Sequence, residues 1–166
     1  MFDKMGTRAL PTERSSRCGA SEELRIERAH QVSARPLRVK TYRELRKHPP
    51  DFIVRYRLYA PSEGGRKLTF QHLRCDFLYA GDDPAKDGIY MIHPEFLDAA
   101  GEPLPKDRPV PLIGRASMWI LVAEMRASVH RARLGVGVRG HFMEGARRIG
   151  DLDVETIEGL HENPST

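Results

Sequence analysis

Apolar and polar side chains alternate most clearly over residues 52–58, where Phe52, Val54, Tyr56 and Leu58 share one parity and Ile53, Arg55 and Arg57 the other. A period of two sends successive side chains to opposite faces, so this stretch is predicted as a half-buried strand. Pro61, Ser62, Glu63, Gly64 and Gly65 then supply turn chemistry, and residues 67–70 read as a returning segment. Cys75, Phe77 and Tyr79 alternate with Asp76 and Leu78 in a second strand that closes at Gly81, Asp82, Asp83 and Pro84. Residues 82–108, rich in Asp, Pro and Gly, read as a long loop holding one short strand at Ile89–Ile92. Met118, Ile120 and Val122 share one face and Trp119 and Leu121 the other, as in a strand covered on both sides. Leu134, Val136 and Val138 alternate with Arg133, Gly135, Gly137 and Arg139. A last strand is expected over residues 148–157, with a bulge at Gly150 that turns Leu152 and Val154 inward. Six or seven short strands, no long helix after residue 50 and no internal repeat predict an all-β fold, either a closed antiparallel barrel or a sandwich.

Before residue 50 the pattern is different. Residues 1–20 have no apolar period and are expected to be disordered, because they bury too little to offset the entropy of ordering. Leu24, Ile26, Ala29 and Val32 fit a short helix that Pro36 ends. Thr41 and Glu44 have capping-box spacing, and Pro49–Pro50 stop any helix they start. The chain therefore divides into an arm (1–50), a β domain (51–159) and a disordered tail (160–166).

Charge sharpens that division. Residues 1–50 carry 12 Lys/Arg against 6 Asp/Glu, whereas residues 51–166 carry 15 against 17. A basic arm on a near-neutral body attracts nucleic acid or an acidic protein surface, although a solvated tail has the same composition. A length of 166 residues suits one domain, and 40% hydrophobic with 30% charged residues speaks against wholesale disorder. The longest apolar run, Met118–Ala123, is far short of the ~20 residues a spanning helix needs, and residues 1–20 hold no apolar signal core. No membrane partner and a cytoplasmic location are expected, with Cys18 and Cys75 as reduced thiols.

Several chemistries lack their residues. No Gly-rich loop ends in Lys and Ser or Thr, so GTP hydrolysis is not expected. His72 and Cys75 stand three apart without a second ligand pair for zinc, and Pro84 interrupts the calcium-like run of Asp82, Asp83 and Asp87. His93, His130 and His141 have no serine in a nucleophile-elbow context; Ser117 and Ser128 both lack it. Neither an enzyme, a cofactor nor a metal is expected.

Three motifs in order resemble a known family. Glu63-Gly64-Gly65-Arg66 after the first strand, Pro111-Leu112-Ile113-Gly114 before a later one and Glu144-Gly145-Ala146-Arg147-Arg148-Ile149-Gly150 before the last are similar to the C-terminal β-barrel domain of elongation factor Tu. The resemblance covers about residues 52–157, without a GTPase domain. The long loop from Gly81 to Arg108 and the residues around His141 and Phe142 depart from it. It implies a small closed barrel of six or seven antiparallel strands that binds rather than catalyses, in translation, with tRNA or other structured RNA as partner. Carried over by position, Arg66, Lys67, Asp76 and Glu144 fall where the family contacts RNA, Asp76 replacing an uncharged amide. Arg55, Arg57, Arg147 and Arg148 are the other basic residues expected near the barrel turns, where a solvated face accounts for them as well as RNA does. The alternative partner is a protein, docked on a barrel face.

Overall fold

The computed structural model describes residues 40–166, which belong to one compact unit. The disorder expected at residues 1–20 and the helix at 22–32 lie outside the described residues. The capping box forms as the spacing predicts: Glu44 N–H donates to Thr41 Oγ1 at 3.2 Å, and Thr41 N–H donates to the Glu44 carboxylate at 2.9 Å. It starts the short helix α1 (Tyr42–Arg46). Six strands follow: β1 (Phe52–Leu58), β2 (Asp76–Tyr79), β3 (Ile92–Leu97), β4 (Ile113–Ile120), β5 (Arg139–Glu144) and β6 (Arg147–Ile157). They pair antiparallel in one sheet, in the order β2-β5-β6-β1-β4-β3.

Alternation sends Phe52, Val54, Tyr56 and Leu58 of β1 into the core, where they meet Phe77, Ile92, Phe96, Met118, Phe142, Leu152 and Val154. Tyr56 and Phe96 meet edge to face with centroids 4.9 Å apart, a favoured aromatic geometry. Two register shifts in β6 bend the sheet around this core. One leaves Ile149 as the extra residue opposite Phe142 and Met143, beside Gly150 where the sequence places a bulge. The other lies opposite Ile53 and Val54. An extra residue on one strand increases local twist and curls the sheet.

The expected closed barrel is corrected to an open sheet. β2 and β3 are its edges, and one pair outside the named strands, Phe77–Tyr90, joins them through hydrogen bonds of 2.7 and 2.8 Å. β2 has only four residues, too few to extend that ladder. Farther along the β3 edge, buried Gln71 acts as a one-residue strand: its Nε2 donates to Phe96 O at 2.7 Å and its Oε1 accepts from Phe96 N–H at 2.8 Å. Pro94 is tolerated within β3 because an edge strand leaves one side of its ladder unpaired.

Other elements moved. Residues 134–138 form no strand; Gly137 takes a φ of +84° in a turn bonded to Val154 of β6 through Gly137 N–H and Val138 O, and β5 starts at Arg139. The short strand expected at Ile89–Ile92 instead begins at Ile92. Between β4 and β5 an unexpected helical segment runs through α2 (Ala123–Met125), a π-helical turn (Arg126–His130) and α3 (Arg131–Arg133). It delivers Arg126 to Asp51, both fully buried, with Nε to Oδ1 at 2.5 Å. Asn163 donates to the same oxygen at 3.0 Å, and Leu160 is buried in the core. Residues 160–166, read from the sequence as a disordered tail, are thus tied to the start of β1. Among the described residues no helix is long and apolar enough to cross a membrane.

Candidate nucleic-acid interface

Residues that alternate with the core face outward, and between Ile53 and Met143, which are buried there too, those on β5, β6 and β1 are charged or titratable. Cross-strand register sets Arg139 opposite Asp153 and Asp153 opposite Arg55; one row on, His141 faces Asp151 and Asp151 faces Arg57. These two rows line a groove of about 610 Å³, a volume suited to a small ligand or to one segment of a larger one. Within it Asp151 is occupied: the Tyr59 hydroxyl donates to Oδ1 at 2.7 Å and His141 Nδ1 lies 2.9 Å from the same atom. Burial, with that hydrogen bond, raises the Tyr59 pKa and keeps the phenol neutral. Arg55 and Arg139 are exposed and form no ion pair within 4.0 Å among the described residues.

Tyr59 joins the groove to one end of the sheet. The Arg57 guanidinium lies 5.5 Å from its ring centroid and pairs with Glu63. The Glu63 carboxyl is held below its ordinary pKa by the Ala60 backbone N–H and by Arg57. Gly65 packs so tightly that a Cβ there would sit 1.8 Å from Tyr59 O, which is why this turn requires glycine. The next residue, Arg66, pairs with Glu144, and so does Arg147 across the β5–β6 turn. Burial alone would raise the Glu144 pKa; the hydrogen bonds from Arg147 and Arg66 outweigh it and lower the pKa. Lys67 and Arg148 are exposed beside this triad and have no ion-pair partner among the described residues.

The geometry therefore splits the seven residues expected from sequence. Arg55 and Arg57 line the groove; Arg66, Glu144 and Arg147 form one ion-paired cluster; Lys67 and Arg148 flank that cluster, unpaired among the described residues. Glu144 is a clamp for two arginines rather than a group left open to a partner. Along β6 the outward row from Asp153 to Arg148 extends about 17 Å at ~3.3 Å per residue, and the Glu144–Arg147 pair closes its end. Sequence reasoning missed Arg139, His141, Asp151 and Asp153. The signal was present, since Asp151 and Asp153 alternate with Leu152 on β6 just as Arg55 and Arg57 alternate with Tyr56 on β1. Only the register shows that these rows meet. Asp76 opens β2 opposite Met143, outside the groove lining.

Among the described residues no group of three or more His, Cys, Asp or Glu side chains converges as a metal set. Cys75 is buried, and burial raises its thiol pKa far above the ordinary value, so the sulfur stays protonated and unreactive. Compared with known proteins, the chain matches no family model and no curated protein.

Proposed function

We propose that this protein is a non-catalytic RNA-binding module, similar in plan to the C-terminal barrel of elongation factor Tu, that works in the cytoplasm on tRNA or another structured RNA. The observation that carries the reading is charge placement. Arg55, Arg57, Arg139 and Arg148 form a stripe on the outer face with Asp151 and Asp153, and Arg66, Lys67, Arg147, Glu63 and Glu144 gather at the turns at its end, a surplus of three positive charges on a body that is otherwise net negative. Exposed cations spaced along a strand follow a phosphate backbone, and the carboxylates between them accept hydrogen bonds from ribose hydroxyls or base amines. The basic residues 1–50 add to the attraction. Fluorescence anisotropy of labelled tRNA with the full chain tests it. The double change Lys67→Ala/Arg148→Ala should weaken binding about tenfold with the melting temperature unchanged, because exposed charges contribute little to folding. Equal affinity for both proteins would remove the stripe from the RNA interface.

A second reading, docking to another protein, is favoured by exposed apolar side chains. The Val110 N–H to Thr69 O bond sets Leu68 and Phe70 beside the segment that carries Leu112 and Ile113, and Ile113 is 73% exposed. Such a contact would persist in high salt, where phosphate binding is lost.

A further inference from the structure

The outer face of β3 and β4 carries a second constellation, and the chain occupies it with its own Tyr42 and with His48, whose ring lies 5.6 Å from Trp119 just past α1. The Tyr42 ring stacks on Trp119 with centroids 5.9 Å apart and planes 24° from parallel. Its hydroxyl lies 3.0 Å from His93 Nδ1, and its backbone N–H donates to Glu95 Oε1 at 2.9 Å. A stacking surface, a carboxylate that accepts N–H and a polar group at the far edge are the means by which proteins hold an unstacked nucleobase.

Three observations mark Tyr42 as an occupant rather than a core residue. α1 buries none of its own residues. Trp119 is 1% exposed yet stands outside the core cluster, and its indole N–H has no hydrogen-bond partner, which is uncommon for a buried donor. The two non-glycine residues with positive φ among the described residues are Lys47 (59°), the C-cap of α1, and His72 (65°), whose ring lies 5.7 Å from that of Tyr42. Backbone strain gathers where a segment is held against its own preference.

We propose that this face is a nucleobase site, filled by Tyr42 in the free protein and taken by a guanine of single-stranded RNA when α1 lifts away; it rests on the RNA reading above. Guanine fits because its N1–H and N2–H are adjacent donors, which one carboxylate accepts together where Glu95 now accepts the Tyr42 N–H. The site is continuous with the stripe. Arg115, paired with Glu155, lies four residues before Trp119 on the same face of β4, about 13 Å away, and in register with unpaired Arg55.

Trp119 is the single tryptophan, so its fluorescence reports the site directly. The probes are GMP and UMP, which share the phosphate and differ in the base, titrated into the full chain. Thr41→Ala removes the helix cap without touching the face. It should raise GMP affinity about fivefold by increasing the fraction of molecules with α1 open. Tyr42→Ala should raise it at least as far and quench Trp119 on binding, while UMP gains nothing. Should Tyr42→Ala fail to fold, Thr41→Ala alone decides. Unchanged GMP affinity, or an equal gain for UMP, overturns the site. If tRNA still binds in a salt-sensitive way, that result leaves the stripe standing and removes only the nucleobase site; absence of all RNA binding instead removes the parent reading.

Discussion

Gln71 does at one point of the β3 edge what a paired strand does along a whole edge. Its amide serves both Phe96 backbone groups and donates also to Leu104 O at 3.2 Å. Gln71→Leu keeps the bulk and removes the bonds; Phe96 O keeps the Leu104 N–H at 2.9 Å, but the buried Phe96 N–H is left unpaired, at about 1–3 kcal/mol. Urea unfolding should show a loss of about 2 kcal/mol; a variant as stable as wild type would mean that water or another group takes the Phe96 N–H. His130 makes a second prediction. It is buried with Nδ1 2.8 Å from the Tyr79 hydroxyl, and burial lowers its pKa to about 4. Its unfolded value near 6.5 is higher, so below that pH the unfolded chain takes up a proton that the folded chain refuses. Stability is therefore fully present above pH 6.5 and falls by about 3 kcal/mol as pH drops to 4. His130→Gln should flatten that part of the pH profile; an unchanged profile would assign the acid loss to other groups.

Elements were legible in the sequence wherever two faces met different surroundings. β1 sits where its alternation places it, and the bulge at Ile149–Gly150 and the capping box of α1 also form as expected. Residues 134–138 alternate just as well but form a turn that touches β6 only at Val154, through Gly137 N–H and Val138 O, because period-two patterning does not distinguish a strand from an extended turn rich in glycine. The segment Ala123–Met125 to Arg131–Arg133 stayed hidden for a different reason: its burial is carried by Arg126 and His130, polar residues that no apolar period would mark. The last seven residues have one large apolar side chain, Leu160, and are held by polar bonds that composition does not reveal. Arg131 donates to Leu160 O and Asn163 O at 3.0 Å each, and Asn163 donates to Pro49 O at 2.9 Å. Ending the chain after Gly159 should cost about 3–5 kcal/mol, from the loss of Leu160 burial and from polar partners left unpaired around Asp51 and Arg126. Thermal unfolding measures it, and a truncated chain that melts with the full one would return these residues to the role of a tail.

For the whole molecule the organising fact is that a curled sheet has an inner face and an outer one, and this chain uses them for different purposes. The inner face is closed by aromatic and aliphatic side chains. The outer face carries paired and unpaired charges in rows, of which sequence reading recovered Arg55 and Arg57 but not the residues facing them across β6. Paired arginines are already satisfied, so the cations left for phosphate are the unpaired ones, Arg55 and Arg139 in the groove and Lys67 and Arg148 beyond it. The salt dependence of tRNA affinity is the measurement that reads them. Log affinity against log salt should fall steeply for the full chain, and Arg55→Ala/Arg139→Ala should make the slope shallower by about two units. No binding at low salt, or a double variant with the slope of wild type, would contradict an RNA interface on this face.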